Sequence, residues 1–198
     1  MDGPTEEHMK AMHRTMGYLA ATKGYVLNVN PTQKDRNKLV GYTDSNWASD
    51  KDTRRRVSGH VIYYSGALVS WRSKMQQCVT LSSTEAEYVA CSQCVVEMEF
   101  LRQMLESMGE EVELPMTVYV DNTGAIDLAK NWSTTGRTKH IDIRFHYLRE
   151  MSDNDMIDLI FVPSEENHAD MFTKNLGEQP FGKGTESIGV GDTEGVNE

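Results

Sequence analysis

The chain has 198 residues, 38% of them hydrophobic, which suits one globular domain with a core of its own. Its three cysteines make an odd count that excludes a disulfide framework, and no apolar run approaches the roughly 20 residues of a membrane span. The formal charge of −10 would disfavour a nucleic-acid partner if it were uniform, but five acids stand against one lysine in Gly177–Glu198 alone, while basic residues cluster at Lys51, Arg54, Arg55 and Arg56, at Arg72 and Lys74, and at Arg137 and Lys139. With no signal-peptide pattern at the start, a reducing, intracellular compartment is the expectation.

In chain order, Met9, Met12, Met16 and Leu19 recur at three- and four-residue steps and predict an amphipathic helix over 7–21. A short strand over 25–29 follows. Residues 38–45 read as the first central strand, with Asp44 near its end and Ser45-Asn46 turning the chain away. After a charged turn over 49–56, which is either a solvated loop or a phosphate contact beside a cleft, come β-runs over 57–64 and 67–72. Together these three runs predict an antiparallel meander.

The longest helix is predicted from Ser82 to about Met108, with Tyr88, Cys91, Val95, Met98, Leu101, Leu105 and Met108 as its buried stripe. Glu85 lies three after Ser82 and Glu87 three after Thr84, so either glutamate could close a capping box. A strand over 116–121 ends in Asp121. Asn122 then caps a helix over 123–130, a helix over 139–151 and a strand over 156–163 follow, and 167–176 reads as a last short helix. Residues 177–198, with six glycines and a proline, read as a disordered acidic tail. The order predicts an α/β fold, a mixed five-stranded sheet flanked by helices.

Carboxylates recur at matching places in this order. Asp44 and Asp121 end strands, Glu87 opens the long helix, and Asp170 lies in the last short one. Adjacent strands and their helices could bring all four together. Clustered carboxylates repel unless protonated or bridged by cations, and an oxygen-only donor set favours magnesium or manganese. Two such ions can activate water and stabilise the leaving oxygen of a phosphodiester. Taken alone, Asp44 reads first as a turn residue, since Asp-Ser-Asn is ordinary turn chemistry.

Six stretches then resemble the ribonuclease H domain of copia-type retrotransposon Pol polyproteins. They are Gly41-Tyr-Thr-Asp-Ser-Asn-Trp47, Val69-Ser-Trp-Arg-Ser-Lys74, Leu81-Ser-Ser-Thr-Glu-Ala-Glu-Tyr88, Val120-Asp-Asn122, Arg137-Thr-Lys-His-Ile-Asp-Ile-Arg144 and Val162-Pro-Ser-Glu-Glu-Asn-His-Ala-Asp170. The resemblance implies a ribonuclease H-like domain over 34–176, preceded over 1–33 by a helix and connection from a polymerase region. It implies Asp44, Glu87, Asp121 and Asp170 as catalytic ligands of two Mg2+ ions, with Mn2+ as substitute, Asp44 bridging both. Glu87 is preferred to Glu85 because the family ligand directly precedes the apolar Tyr-Val-Ala stretch. The implied reaction is cleavage of the RNA strand of an RNA–DNA hybrid, with Ser45, Asn122, Arg54, Arg55, Arg137, Lys139 and Asn167 as substrate contacts. A reverse transcriptase region of the same polyprotein is the implied partner, and a cytoplasmic particle or the nucleus the implied location.

One departure stands out. Cellular ribonucleases H carry a histidine in the loop before the last helix, and here Pro163–Asn167 has none. His168 belongs to the following motif and is not its substitute. An inactive ribonuclease H-like remnant, serving as an interaction module, is the alternative. Tyr119-Val-Asp-Asn122 lacks the second aspartate of a polymerase motif, and Cys91-Ser-Gln-Cys94 falls within a helical apolar stripe, so neither is taken as a site.

Overall fold

The computed structural model describes residues 3–46, 56–78, 80, 82–131 and 139–192, with side chains at all of these except 131 and 139–145. Helix α1 (Glu6–Ala21) begins at Thr5, whose hydroxyl accepts from the His8 amide at 3.4 Å while the His8 ring accepts the Thr5 amide at 3.0 Å. Its apolar stripe is poorly covered among the described residues: Met9, Met12, Met16 and Leu19 are all about half exposed. Strand β1 (Tyr25–Leu27) follows.

The sheet is built on β2 (Leu39–Asn46), β3 (Val57–Tyr64) and β4 (Ala67–Met75), an antiparallel meander as predicted. After α2 (Ser83–Ser107), strand β5 (Met116–Val120) pairs parallel to β2. Helices α3 (Thr123–Asn131) and α4 (Lys139–Asp153) lead to β6 (Ile157–Phe161), parallel to β5. The strand order is β4-β3-β2-β5-β6. This is the predicted mixed five-stranded sheet, with β2 at its centre.

Helix α2 lays its stripe across the central strands, and Tyr88, Cys91, Val95, Met98 and Leu101 join Leu39, Ile62, Val118 and Leu148 in the main core, while Leu105 is only partly buried and Met108, past the end of the packed face, is exposed against expectation. Glycine at position 41 permits the close approach, since a Cβ there would stand 2.7 Å from Met98 Sδ and 2.8 Å from Cys94 Sγ. Cys91 and Cys94 are therefore buried core groups, as their helical spacing suggested.

Three expectations are corrected. Ser45-Asn46 does not turn the chain, because β2 runs on through both and Asp44, Ser45 and Asn46 pair with Gly59, Ser58 and Val57. Residues 167–176 form no α-helix, only a 3-10 turn at Asp170–Phe172 after another at Ser164–Glu166. Local side-chain bonds divert the backbone there: Asn167 Oδ1 accepts from the Ala169 amide at 3.1 Å, and Thr173 Oγ1 donates to the Asp170 carbonyl at 3.2 Å.

The tail over 177–198 is not disordered throughout, because α5 (Glu178–Ser187) and β7 (Val190–Asp192) fold back onto the second face of the sheet. Strand β7 pairs antiparallel with β1, and Ile188 completes a small core with Val61, Tyr63 and Leu68. Three apolar side chains at the right places, Phe181, Ile188 and Val190, outweigh the glycines. The last six residues, 193–198, lie outside the described chain.

Candidate metal centre

Asp44, Glu87 and Asp121 arrive from three elements at the carboxyl ends of the parallel strands β2 and β5. Each offers an oxygen, and the three oxygens lie within 4.8 Å of one another. Asp44 is 1% exposed and sits opposite Gly59 of β3. That glycine makes room for the turn carrying Asp170, since a Cβ there would meet Thr173 Cγ2 at 2.7 Å and the Ala169 carbonyl at 3.2 Å. Thr173 Oγ1 donates a hydrogen bond to Asp44 Oδ2. Asp44 Oδ1 is buried without an aligned hydrogen bond, its compensation being an ion pair with Lys174 Nζ at 3.2 Å.

Glu87 resolves the choice between the two glutamates. Ser82 caps α2 through the Glu85 amide at 3.1 Å, whereas Glu87 turns into the site. Its Oε1 accepts from both the amide (3.1 Å) and the hydroxyl (2.9 Å) of Ser45. Its Oε2 is buried with no hydrogen-bond partner among the described residues. Burial first, then repulsion from Asp44 and Asp121, pushes its pKa up to about 9 against the two Ser45 hydrogen bonds. Arg56, buried at the start of β3, feels the negative charge of both Glu87 and Glu85.

Asp121 follows the last residue of β5. Ser164 Oγ donates to its Oδ2 at 2.8 Å, yet its pKa is raised, by burial first and also by Asp44. Asp170 stands outside the three-oxygen cluster. Its Oδ1 is 2.6 Å from Lys174 Nζ, and burial with the nearby Asp44 and Asp121 charges lifts its pKa to about 6 in spite of that ammonium. Three of the four expected carboxylates converge, and the fourth is joined to them through a lysine.

The expected substrate contacts fare differently. Ser45 is buried and engaged with Glu87, and Asn167, 5% exposed, donates from Nδ2 to the Thr43 carbonyl at 3.0 Å. In this structure the polar atoms of both tie β2 to its neighbours. Asn122 is half-buried and accepts the Ala125 amide at 3.0 Å as the cap of α3. Arg54, Arg55 and Arg137 lie outside the described residues, as does the side chain of Lys139, whose backbone opens α4. His168 is stacked on Tyr42 with ring centroids 4.2 Å apart, and Tyr63 Oη lies 2.8 Å from its Nδ1, so it is held against the sheet. Sequence reasoning missed Lys174, Thr173 and Ser164. Only the four-residue step from Asp170 to Lys174 offered a signal.

The carboxylate set fits a divalent cation. Oxygen donors converge, and Asp44 and Glu87 each bury an oxygen that no aligned hydrogen bond satisfies among the described residues.

No protein-family model matches the chain. It is 38% identical over 190 residues, 96% of its length, to the retrovirus-related Pol polyprotein from transposon TNT 1-94 of Nicotiana tabacum. It is 34% identical over the same span to that from transposon RE1 of Arabidopsis thaliana. The chain spans only 14% and 13% of the length of these two relatives. Among solved structures it is similar to the ribonuclease H1 LC11 isolated from compost, with a TM-score of 0.52 and 18% identity over 69% of this chain and 93% of that one. The shared fold is that of a ribonuclease H.

Proposed function

Because the chain belongs to the retrovirus-related Pol polyproteins of copia-type transposons and has a ribonuclease H-like fold, we propose that it is a divalent-metal-dependent endonuclease acting on the RNA strand of RNA–DNA hybrids. The observation that carries this reading is the convergence of Asp44, Glu87 and Asp121 within 4.8 Å, with a buried, unsatisfied oxygen on Glu87. Asp44, Glu87 and Asp121 would hold one magnesium or manganese ion and Asp44 with Asp170 a second, and bound ions of this kind acidify the attacking water and stabilise the leaving oxygen.

The chain's own residues supply position and charge. Ser45 fixes the Glu87 carboxyl with two donors, and Ser164 fixes Asp121. Burial keeps a proton on Glu87 while no cation is near, and that proton leaves when the carboxylate is needed as a ligand. No side-chain nucleophile is required, since water is the attacking group. Selectivity for the RNA strand would come from its 2′-hydroxyls and the wide minor groove of an A-like duplex. Operation beside a polymerase region of the same polyprotein is part of this proposal.

The test is cleavage of a labelled RNA–DNA hybrid by the full chain with Mg2+ or Mn2+, beside Asp44→Asn and Asp121→Asn. Loss of cleavage in both variants is expected, and cleavage by either at the parental rate would end the assignment. A second reading, a remnant that binds hybrid without cutting it, is favoured by the lysine ammonium seated among the carboxylates. Hybrid binding with no cleavage at any Mg2+ or Mn2+ concentration would establish it.

A further inference from the structure

The side chain that sequence reasoning missed occupies the mouth of the carboxylate cluster. Lys174 Nζ lies 2.6 Å from Asp170 Oδ1, 3.2 Å from Asp44 Oδ1 and 3.9 Å from Asp121 Oδ2. Resting on the metal-centre reading above, we propose that Lys174 is an internal counter-cation: it holds the outer cation position in the metal-free protein, withdraws when a divalent ion loads, and so sets the metal affinity of the site.

Three observations carry this. Asp44 is 1% exposed, so water cannot neutralise it and its compensation has to come from within the protein. The ammonium touches two carboxylates that approach from different elements, β2 and the Asp170–Phe172 turn, which is the bridging geometry of a small cation rather than of a paired surface charge. Its side chain is 30% exposed, so the four-carbon stem can swing the charge into solvent without disturbing the core. The backbone is pinned while the side chain moves, because the Lys174 amide donates to the Asp170 carbonyl at 2.9 Å. A lysine whose task was only to contact a substrate phosphate would keep its place when metal arrives. A counter-cation has to leave, because like charges cannot share two carboxylates at these distances.

The full chain and Lys174→Met, which keeps the apolar stem and removes the charge, are titrated with Mn2+ by water-proton relaxation, with Asp44→Asn as control. K174M is expected to bind Mn2+ roughly tenfold more tightly than the parent, the effect of removing one competing charge from a partly screened site. It is also expected to melt at lower temperature in chelator and to gain more on adding Mg2+. In the parent, amine labelling of Lys174 read by mass spectrometry should rise on Mg2+ saturation, a measurement that stands even if K174M fails to fold. Equal or weaker Mn2+ binding by K174M overturns the inference, as does labelling that ignores Mg2+. If the parent binds no Mn2+ that D44N abolishes, the metal-centre reading falls and this inference with it; if the parent binds through Asp44 but K174M binds no tighter, only the role of Lys174 falls.

Discussion

The two halves of the carboxylate site are built from different materials. Asp44, Glu87 and Asp121 stand on or directly beside regular elements: two central parallel strands and the first turns of the longest helix. Asp170 and Lys174 ride on a 3-10 turn and the stretch after it. Glu87 is fixed by two donors from β2 and Asp121 by Ser164, whereas Asp44 is met by Thr173 and Lys174 from the outer stretch, and Asp170 and Lys174 are fixed mainly to each other, at 2.6 Å. A rigid inner half fixes geometry that chemistry needs to a fraction of an ångström, and an outer half on a turn is free to exchange one cation for another.

The largest expected effect separates the halves directly. Asp44→Asn removes the one carboxylate that faces both, and cleavage of a hybrid is expected to fall on the order of a thousandfold. Asp170→Asn leaves the inner cluster intact and is expected to retain measurable cleavage, reduced roughly 10- to 100-fold and partly recovered at high Mn2+. Equal losses in single-turnover assays of the two variants would erase the distinction drawn here.

Stability should rank the halves in the opposite sense. A carboxyl whose folded pKa is raised costs stability once the unfolded chain ionises: below the ordinary value of 4.5 Glu87 carries its proton in both states, and as pH rises from there towards about 9 the folded state retains a proton that the unfolded state has lost. Metal-free stability is therefore highest on the acid side of that window and declines across it as far as this group is concerned. Glu87→Gln should flatten the decline and raise the metal-free melting temperature near pH 8 by about 3 °C or more, while removing cleavage. Melting curves in chelator from pH 5 to 9 check it, and a parallel decline in parent and variant would sink the idea.

How much of this was legible in the sequence follows the same division. The inner half was readable because it rests on strand ends and a helix start, but the helical pattern left Glu85 and Glu87 even, and only the family resemblance favoured Glu87. Ser45 and Asn167 were placed in the right region, but their hydrogen-bond partners within the protein were not legible. Their polar atoms could equally have met a substrate or a neighbouring strand, and only the register of β2 decides that. In the outer half Asp170 was named, but the turn that carries it was hidden because side-chain bonds at Asn167 and Thr173 override a helical pattern. The α5–β7 segment was hidden because its few apolar residues gain their meaning from β1 and β3, distant in sequence. Lys174 needed both, a correct backbone and a neighbour 130 residues away.

Within the inner half, the two serines rank by burial. Ser45→Ala removes a buried hydroxyl donor at 2.9 Å while sparing the amide, so Glu87 stays near its place but loses its fixed orientation, and Mg2+ affinity should fall roughly 10- to 100-fold.

Ser164 is the smaller test. It donates to Asp121 at 2.8 Å from an exposed position, where water can replace the lost donor. That hydrogen bond lowers the Asp121 pKa against burial and the Asp44 charge, so removing it should move the group further up. Ser164→Ala is therefore expected to bind Mg2+ only a few-fold more weakly at pH 8, and the deficit should widen as pH falls and protons compete for Asp121. Isothermal titrations at pH 6 and pH 8 compare the two conditions. A deficit that shrinks on acidification would mean that Ser164 positions the loop rather than the carboxylate, and the inner half would then hold its third ligand through β5 alone.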